Sequence, residues 1–215
     1  KKAGLLSTVQ ILVNKEVHPA THTTPDPITI NSYLRKMVDE GCKFCFMEVS
    51  SHGLVQNRIA GLEFDGAAFT NITHDHLDYH KTFDDYILAK KALFDALSPE
   101  AFALVNQDDK HGRTMLLHCK AKKYGFALKT DTDFKARIIE HQLDGMLLQL
   151  DGQEVWTKLI GTFNALNIAA EDYVAARDAL GALVDDDPTV RSLTILAAIE
   201  RGEAAGDEIV RGLLT

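Results

Sequence analysis

The stretch that decides the fold is Phe69-Thr70-Asn71-Ile72-Thr73-His74-Asp75-His76-Leu77-Asp78-Tyr79-His80. An apolar run from Asp65 leads into it, and a segment of helical spacing, Phe83 to Leu97, leads out. A strand, a polar knot and a helix in succession form the repeating unit of α/β proteins, and the knot is where they place their chemistry. The same unit recurs in both directions. Upstream, Lys43 to Val49 reads as a short buried strand running into Glu48-Val49-Ser50-Ser51-His52-Gly53. Before that strand, Ile28 to Glu40 sets Ile30, Leu34, Met37 and Val38 at helical spacing, and Gly41 stops it. Downstream, Ala101 to Asn106 reads as a strand, followed by Gln107-Asp108-Asp109 and a helix to about Cys119. Strands alternating with helices predict an α/β fold, a mostly parallel sheet flanked by helices.

The outer segments differ. Gly4 to Val13 reads as one strand and Asn14 to His22 as loop. Pro25 and Pro27 forbid a strand or helix interior around Thr23-Thr24. After Lys122, Ala136 to Leu143, Met146 to Leu150 and Glu154 to Ile160 are three strands separated by Asp144-Gly145 and Asp151-Gly152, both hairpin turn pairs. They predict a small antiparallel appendage. Gly161 breaks it, and a helix is expected from about Asn164 to Leu180. Beyond the acidic break Asp185 to Pro188, two short Ala/Leu-rich helices are expected, so residues 168–215 read as a helical tail.

A net charge of -8 argues against nucleic acid or an anionic membrane as the main partner. No run is long and apolar enough to span a membrane, and no signal-peptide pattern opens the chain. Cys42, Cys45 and Cys119 are odd in number, and a strand through Cys45 would point the C-x-x-C side chains to opposite faces. They read as structural thiols of a cytoplasmic protein rather than a redox or zinc pair.

Several groups can carry chemistry. His74, His76, Asp78 and His80 have the density of a divalent-metal site or of a polar surface loop. They approach the H-x-H-x-D-H box of metallo-β-lactamase-type hydrolases, except that Tyr79 stands where that box needs its third histidine. On a helical wheel Phe83, Ile87, Phe94 and Leu97 form one apolar stripe with Lys90 in its middle, while Lys91 falls near the polar margin. Burial would lower the Lys90 pKa and leave a neutral amine able to take up carbon dioxide as a carbamate, an anion that binds metal; otherwise the lysine snorkels to the helix edge. Glu48 ends a strand where α/β sheets bind ligands, next to the hydroxyls of Ser50 and Ser51. Asn164 and Asn167 open a helix, the first as a possible N-cap. No G-x-x-x-x-G-K-[ST] phosphate loop occurs in these residues.

Together, Thr23-Thr24-Pro25, Glu48-Val49-Ser50-Ser51-His52, Thr70-Asn71 with Asp75-His76-Leu77-Asp78-Tyr79-His80, Ala89-Lys90 with Leu93-Phe94, and Gly161 with Phe163-Asn164 and Asn167 resemble the Mur ligases of bacterial peptidoglycan synthesis. The likeness is strongest to their tripeptide-synthetase branch, and it covers about residues 4 to 170. It implies a central domain over residues 1–167, with the P-loop upstream of Lys1 and the amino- and carboxyl-terminal domains outside the chain. It implies an ATP-dependent amide-bond ligase that joins a diamino acid, meso-diaminopimelate or L-lysine, to UDP-MurNAc-L-Ala-D-Glu through an acyl phosphate. The domain alone is then expected to be inactive. The resemblance implies Mg2+ held by Glu48, His76 and a carbamylated Lys90 as the catalytic group. It implies UDP-MurNAc-dipeptide contacts from Thr23, Thr24, Ser50, Gln56 and Arg58, and adenine-side contacts to ATP from Asn164 and Asn167. Asp75 and Asp78 would shape the loop. The alternative is a metal-dependent hydrolase built on His74, His76, Asp78 and His80.

Overall fold

A computed structural model of the chain describes residues 2–73, 79–150, 152–162, 164–170 and 194–199, the last as backbone. His74, Asp75, His76 and Asp78 therefore lie outside the described residues, as do Phe163 and most of the expected helical tail. The strands are β1 (Ala3–Leu6), β2 (Gln10–Val13), β3 (Glu16–Pro19), β4 (Phe44–Val49), β5 (Gly66–Phe69), β6 (Phe102–Asn106), β7 (Lys122–Ala127), β8 (Phe134–Gln142), β9 (Gly145–Leu150), β10 (Gln153–Thr157) and β11 (Thr194–Ile199). The named helices are α1 (Pro27–Asp39), α2 (Ser51–Val55), α3 (Phe83–Asp95) and α4 (Gly112–Met115), and residues 164–170 are helical. One sheet runs β10-β9-β8-β7-β6-β5-β11-β4-β1-β2-β3. Pairing is parallel from β1 through β4, β11, β5, β6 and β7 to β8, and antiparallel in the β1-β2-β3 and β8-β9-β10 meanders.

The expected α/β sheet and its antiparallel appendage are present. Several readings change. Gly4 to Val13 is two strands, turned at Ser7, where the Ser7 amide donates to the Gln10 carbonyl at 3.2 Å. The expected loop from Asn14 contains the edge strand β3. The helix expected to reach Cys119 is only α4, whose N-cap His111 makes no side-chain capping bond. Thr194–Ile199, expected within a helical tail, is a strand between β4 and β5.

α1 begins as its sequence dictates: Asp26 caps the amides of Ile28 and Thr29, and Pro27 takes the first helical position. Ile30, Leu34 and Met37 then pack into a core shared with Met47, Val49, Phe69, Leu93, Phe94 and Val105. A second core lies under the appendage, where Phe102, Leu104, Phe126, Met146 and Leu148 meet Ala165 and Ala169. The two cores fix the central strands between them, so the carboxyl ends of β4, β5 and β6 form a rigid edge. Among the described residues no helix is long and apolar enough to cross a membrane.

Candidate functional site

Glu48 lies one residue from the end of β4, with 7% of its surface exposed. A buried carboxylate needs donors. Thr8, in the β1–β2 turn, supplies two to one oxygen: its amide reaches Oε2 at 2.8 Å and its hydroxyl at 2.6 Å. The same hydroxyl lies 3.1 Å from that of Thr23. Thr24 is fully buried; its hydroxyl donates to the Glu48 carbonyl at 3.0 Å and accepts from the Ser50 amide at 2.9 Å. Ser50 caps α2, its hydroxyl accepting from the Gly53 amide at 3.0 Å. Thr23, Thr24, Glu48 and Ser50 are thus brought together, and the side chain of Thr24 braces the backbone. Gln56 and Arg58 join the same wall. The Arg58 guanidinium donates to the Thr24 carbonyl at 2.7 Å and to the Gln56 Oε1 at 2.6 Å. Gln56 in turn donates to the Tyr79 hydroxyl at 3.3 Å.

A chain of rings connects this wall to α3. Buried His80 holds the Ser51 hydroxyl through Nε2 at 2.9 Å and lies 5.1 Å from the Tyr86 ring. The Lys90 Nζ sits 5.0 Å from the same Tyr86 ring, within cation–π range. Lys90 has no exposed surface, so of the two sequence readings the buried one holds and the lysine does not snorkel to the helix edge. Lys91 does not lie at a polar margin: it is 5% exposed and paired with Asp95 one turn on. The cysteines are all buried and free; burial pushes the Cys45 thiol far up and the Cys42 thiol up, which disfavours the reactive thiolate.

The two helix asparagines differ. Asn164 donates to the Ile160 carbonyl at 2.9 Å, a local bond. Asn167 is fully buried, and among the described residues neither end of its amide has a partner. An orphaned buried amide is costly and marks a place for a polar ligand or water. Among the described residues no three His, Cys, Asp or Glu side chains gather closely enough to hold a metal. Thr8 escaped the sequence reading because it sat inside an apolar run taken as one strand; the polar pair Ser7-Thr8 interrupting that run was the available signal.

Polar side chains converging on the carboxyl edge of a parallel sheet define an α/β protein of the ligand-binding, open-sheet kind. The particular family follows from comparison: residues 1–175 match the model of the Mur ligase middle domain, and the chain belongs to the Mur ligase family. A UDP-N-acetylmuramoyl-L-alanyl-D-glutamate--2,6-diaminopimelate ligase from Cytophaga hutchinsonii is 54% identical over 169 residues, covering 79% of this chain and 35% of the relative. The same-named ligase of Geobacillus kaustophilus is 39% identical over 180 residues, covering 79% of this chain and 37% of the relative. A solved structure of a ligase of that name superposes with a TM-score of 0.67 at 28% identity, over 88% of this chain and 41% of the other. The chain therefore spans about a third of the length of the curated relatives it matches. The family match runs past Asn167, to residue 175. The hydrolase alternative gains nothing from either source: the relatives are ligases, and His80 is held within the protein by Ser51.

Proposed function

We propose that the protein carrying this domain is an ATP-dependent ligase that joins 2,6-diaminopimelate to UDP-MurNAc-L-Ala-D-Glu in the cytoplasm. The γ-phosphoryl group of ATP passes to the terminal carboxylate of the dipeptide, releasing ADP. The diamino acid's amine then displaces inorganic phosphate and forms the amide. The choice of diaminopimelate over lysine follows the names of the relatives.

The observation that carries this reading is the state of Glu48. Both hydrogen bonds from Thr8 go to Oε2, and Oε1 takes none from a described residue. A carboxylate fixed through one oxygen, with its other oxygen open, suits a hard cation such as Mg2+. His76 and Lys90 are the proposed further ligands, Lys90 as its carbamate; the complete burial of its side chain, beside the Tyr86 ring that packs on His80, supports that role. Magnesium there would supply charge stabilisation for phosphoryl transfer. Thr23, Ser50, Gln56 and Arg58 form the proposed dipeptide wall, with Thr24 behind them. The orphaned amide of Asn167 fits the adenine side of ATP, with Asn164 beside it.

The test is a reaction of the full-length protein with UDP-MurNAc-L-Ala-D-Glu, ATP and either diaminopimelate or L-lysine, followed by mass spectrometry. The expected product is the diaminopimelate tripeptide, formed only with Mg2+. No amide product with either amino acid would overturn the reading. Electron density at Lys90 ending in a plain ammonium would overturn the carbamate.

A further inference from the structure

β6 ends in Asn106, and the next three residues are Gln107, Asp108 and Asp109. Asn106 is 3% exposed, and both ends of its amide are used. Nδ2 donates to the Thr70 carbonyl at 2.8 Å, and Oδ1 accepts from the Asp108 amide at 2.9 Å. Asp109 is also divided. Oδ2 accepts from the Ile72 amide at 3.2 Å, and Oδ1 from the His111 amide at 2.8 Å. Thr70 and Ile72 are the first and third residues after β5. Two side chains at the end of one strand thus hold the backbone leaving its neighbour at a carbonyl and at an amide. Asp108 points the other way: its carboxylate takes the amides of Leu128, Lys129 and Thr130, beyond β7.

We propose that Asn106 and Asp109 are positioning residues that set the exit of β5, and through it the placement of the metal-binding side chain that follows. His76 comes four residues after Ile72. That last step rests on the ligase reading above; the clamp itself does not. The residue types are demanding. An aspartate at 106 would set an oxygen against the Thr70 carbonyl. An asparagine at 109 would keep one acceptor and turn an NH2 group toward one of two backbone amides. In both cases a repulsive contact replaces a hydrogen bond at the point where the chain leaves the sheet. Asp108 serves as an internal control, because it belongs to the same turn and its carboxylate takes three backbone bonds, against two for Asp109, without touching residues 70–73.

The experiment uses the full-length protein with Asp109→Asn, Asn106→Asp and, for comparison, Asp108→Asn. Amide hydrogen exchange is measured at Ile72 and at residues 128–130, alongside the Mg2+ dependence of the ligase rate. Asp109→Asn should speed exchange at Ile72 about tenfold. It should raise the Mg2+ concentration for half-maximal rate by about tenfold, as loss of an outer-shell partner does. Asp108→Asn should speed exchange at 128–130 and leave the Mg2+ half-saturation where it was. Should Asn106→Asp fail to fold, the less buried Asp109→Asn decides alone. Unchanged Ile72 exchange in Asp109→Asn overturns the proposal, as does an equal shift in Mg2+ dependence for Asp108→Asn. A wild-type protein with no Mg2+-dependent ligase activity would sink the ligase reading, while the Ile72 exchange result would still decide the clamp.

Discussion

Glu48 is held by a residue forty positions away, and neither makes sense without the other. Thr8→Val keeps the shape and the backbone amide but removes the hydroxyl bond at 2.6 Å. Hydrogen bonds to charged groups contribute about 1.5–3 kcal/mol. Thr8 is exposed, so water replaces part of this, and a loss of about 1 kcal/mol is expected in the denaturant midpoint. An unchanged midpoint would mean the Glu48 carboxylate does not depend on the Thr8 hydroxyl. Asp108 supports a second prediction. Burial alone would raise its pKa, but the amides of Thr130, Leu128 and Lys129 outweigh it and hold the carboxyl below its ordinary value of 3.8. The folded pKa is depressed, so the stabilisation is complete above the unfolded pKa and is lost as pH falls through the lower folded value. Asp108→Asn should therefore be less stable than wild type at neutral pH, and the gap should close below roughly pH 4. Thermal unfolding across pH 2–7 reads it; a gap independent of pH would remove the carboxylate's charge from the account.

Elements differ in how much of themselves they declare in sequence. α3 was legible because Phe83, Ile87, Phe94 and Leu97 mark one face; that stripe left Lys90 either buried in it or snorkelling from it, and the packing decides for burial. β4, β5 and β6 were legible as apolar runs ending in polar clusters. β3 was not: its residues are exposed or half-exposed, it lies at the sheet edge, and it shows neither alternation nor an apolar run. β7 was hidden because its first two residues, Lys122 and Lys123, are exposed and only its second half is buried. Of the site, Glu48 and Ser50 were legible at a strand's end, but the bracing by Thr8, Asn106 and Asp109 was not, since bonds across 36 to 40 positions leave no local pattern. α2 shows why spacing alone misleads. A glycine inside a helix costs about 1 kcal/mol relative to alanine, so Gly53→Ala looks favourable. A Cβ there would lie 2.8 Å from Thr24 Cβ and 2.9 Å from its Cγ2. Thr24 cannot turn aside without releasing both the Glu48 carbonyl and the Ser50 amide. Overpacking of about 1–3 kcal/mol should outweigh the helix gain. Gly53→Ala should therefore lower the melting temperature, and a rise would show that Thr24 is free to move.

At the scale of the molecule, the sheet is joined at its middle by the strand furthest away in sequence. β11 comes from beyond the stretch that matches the family, yet it pairs with β4 along six residues and with β5 along three. Three of its six residues, Thr194, Ile195 and Ile199, are β-branched and suit a strand; the Leu and Ala residues between them favour the helix reading, and two parallel neighbours satisfy its backbone as a strand instead. Without it, β4 and β5 would each present an open edge, and one side of the site would no longer be tied to the other. Ala197→Pro tests this through the backbone alone. Ala197 pairs with Met47 on one side and Ala67 on the other, so proline there removes a ladder bond from a strand with no free edge. A loss of about 3 kcal/mol or more is expected, which for a chain of this size is roughly 6–12 °C in melting temperature. Exchange should rise in the amides of β4 and β5 while the β8-β9-β10 meander, three strands away from β5 at its nearest, stays protected. Equal melting temperatures for variant and wild type would take β11 out of the sheet and leave the edges of β4 and β5 open to another strand.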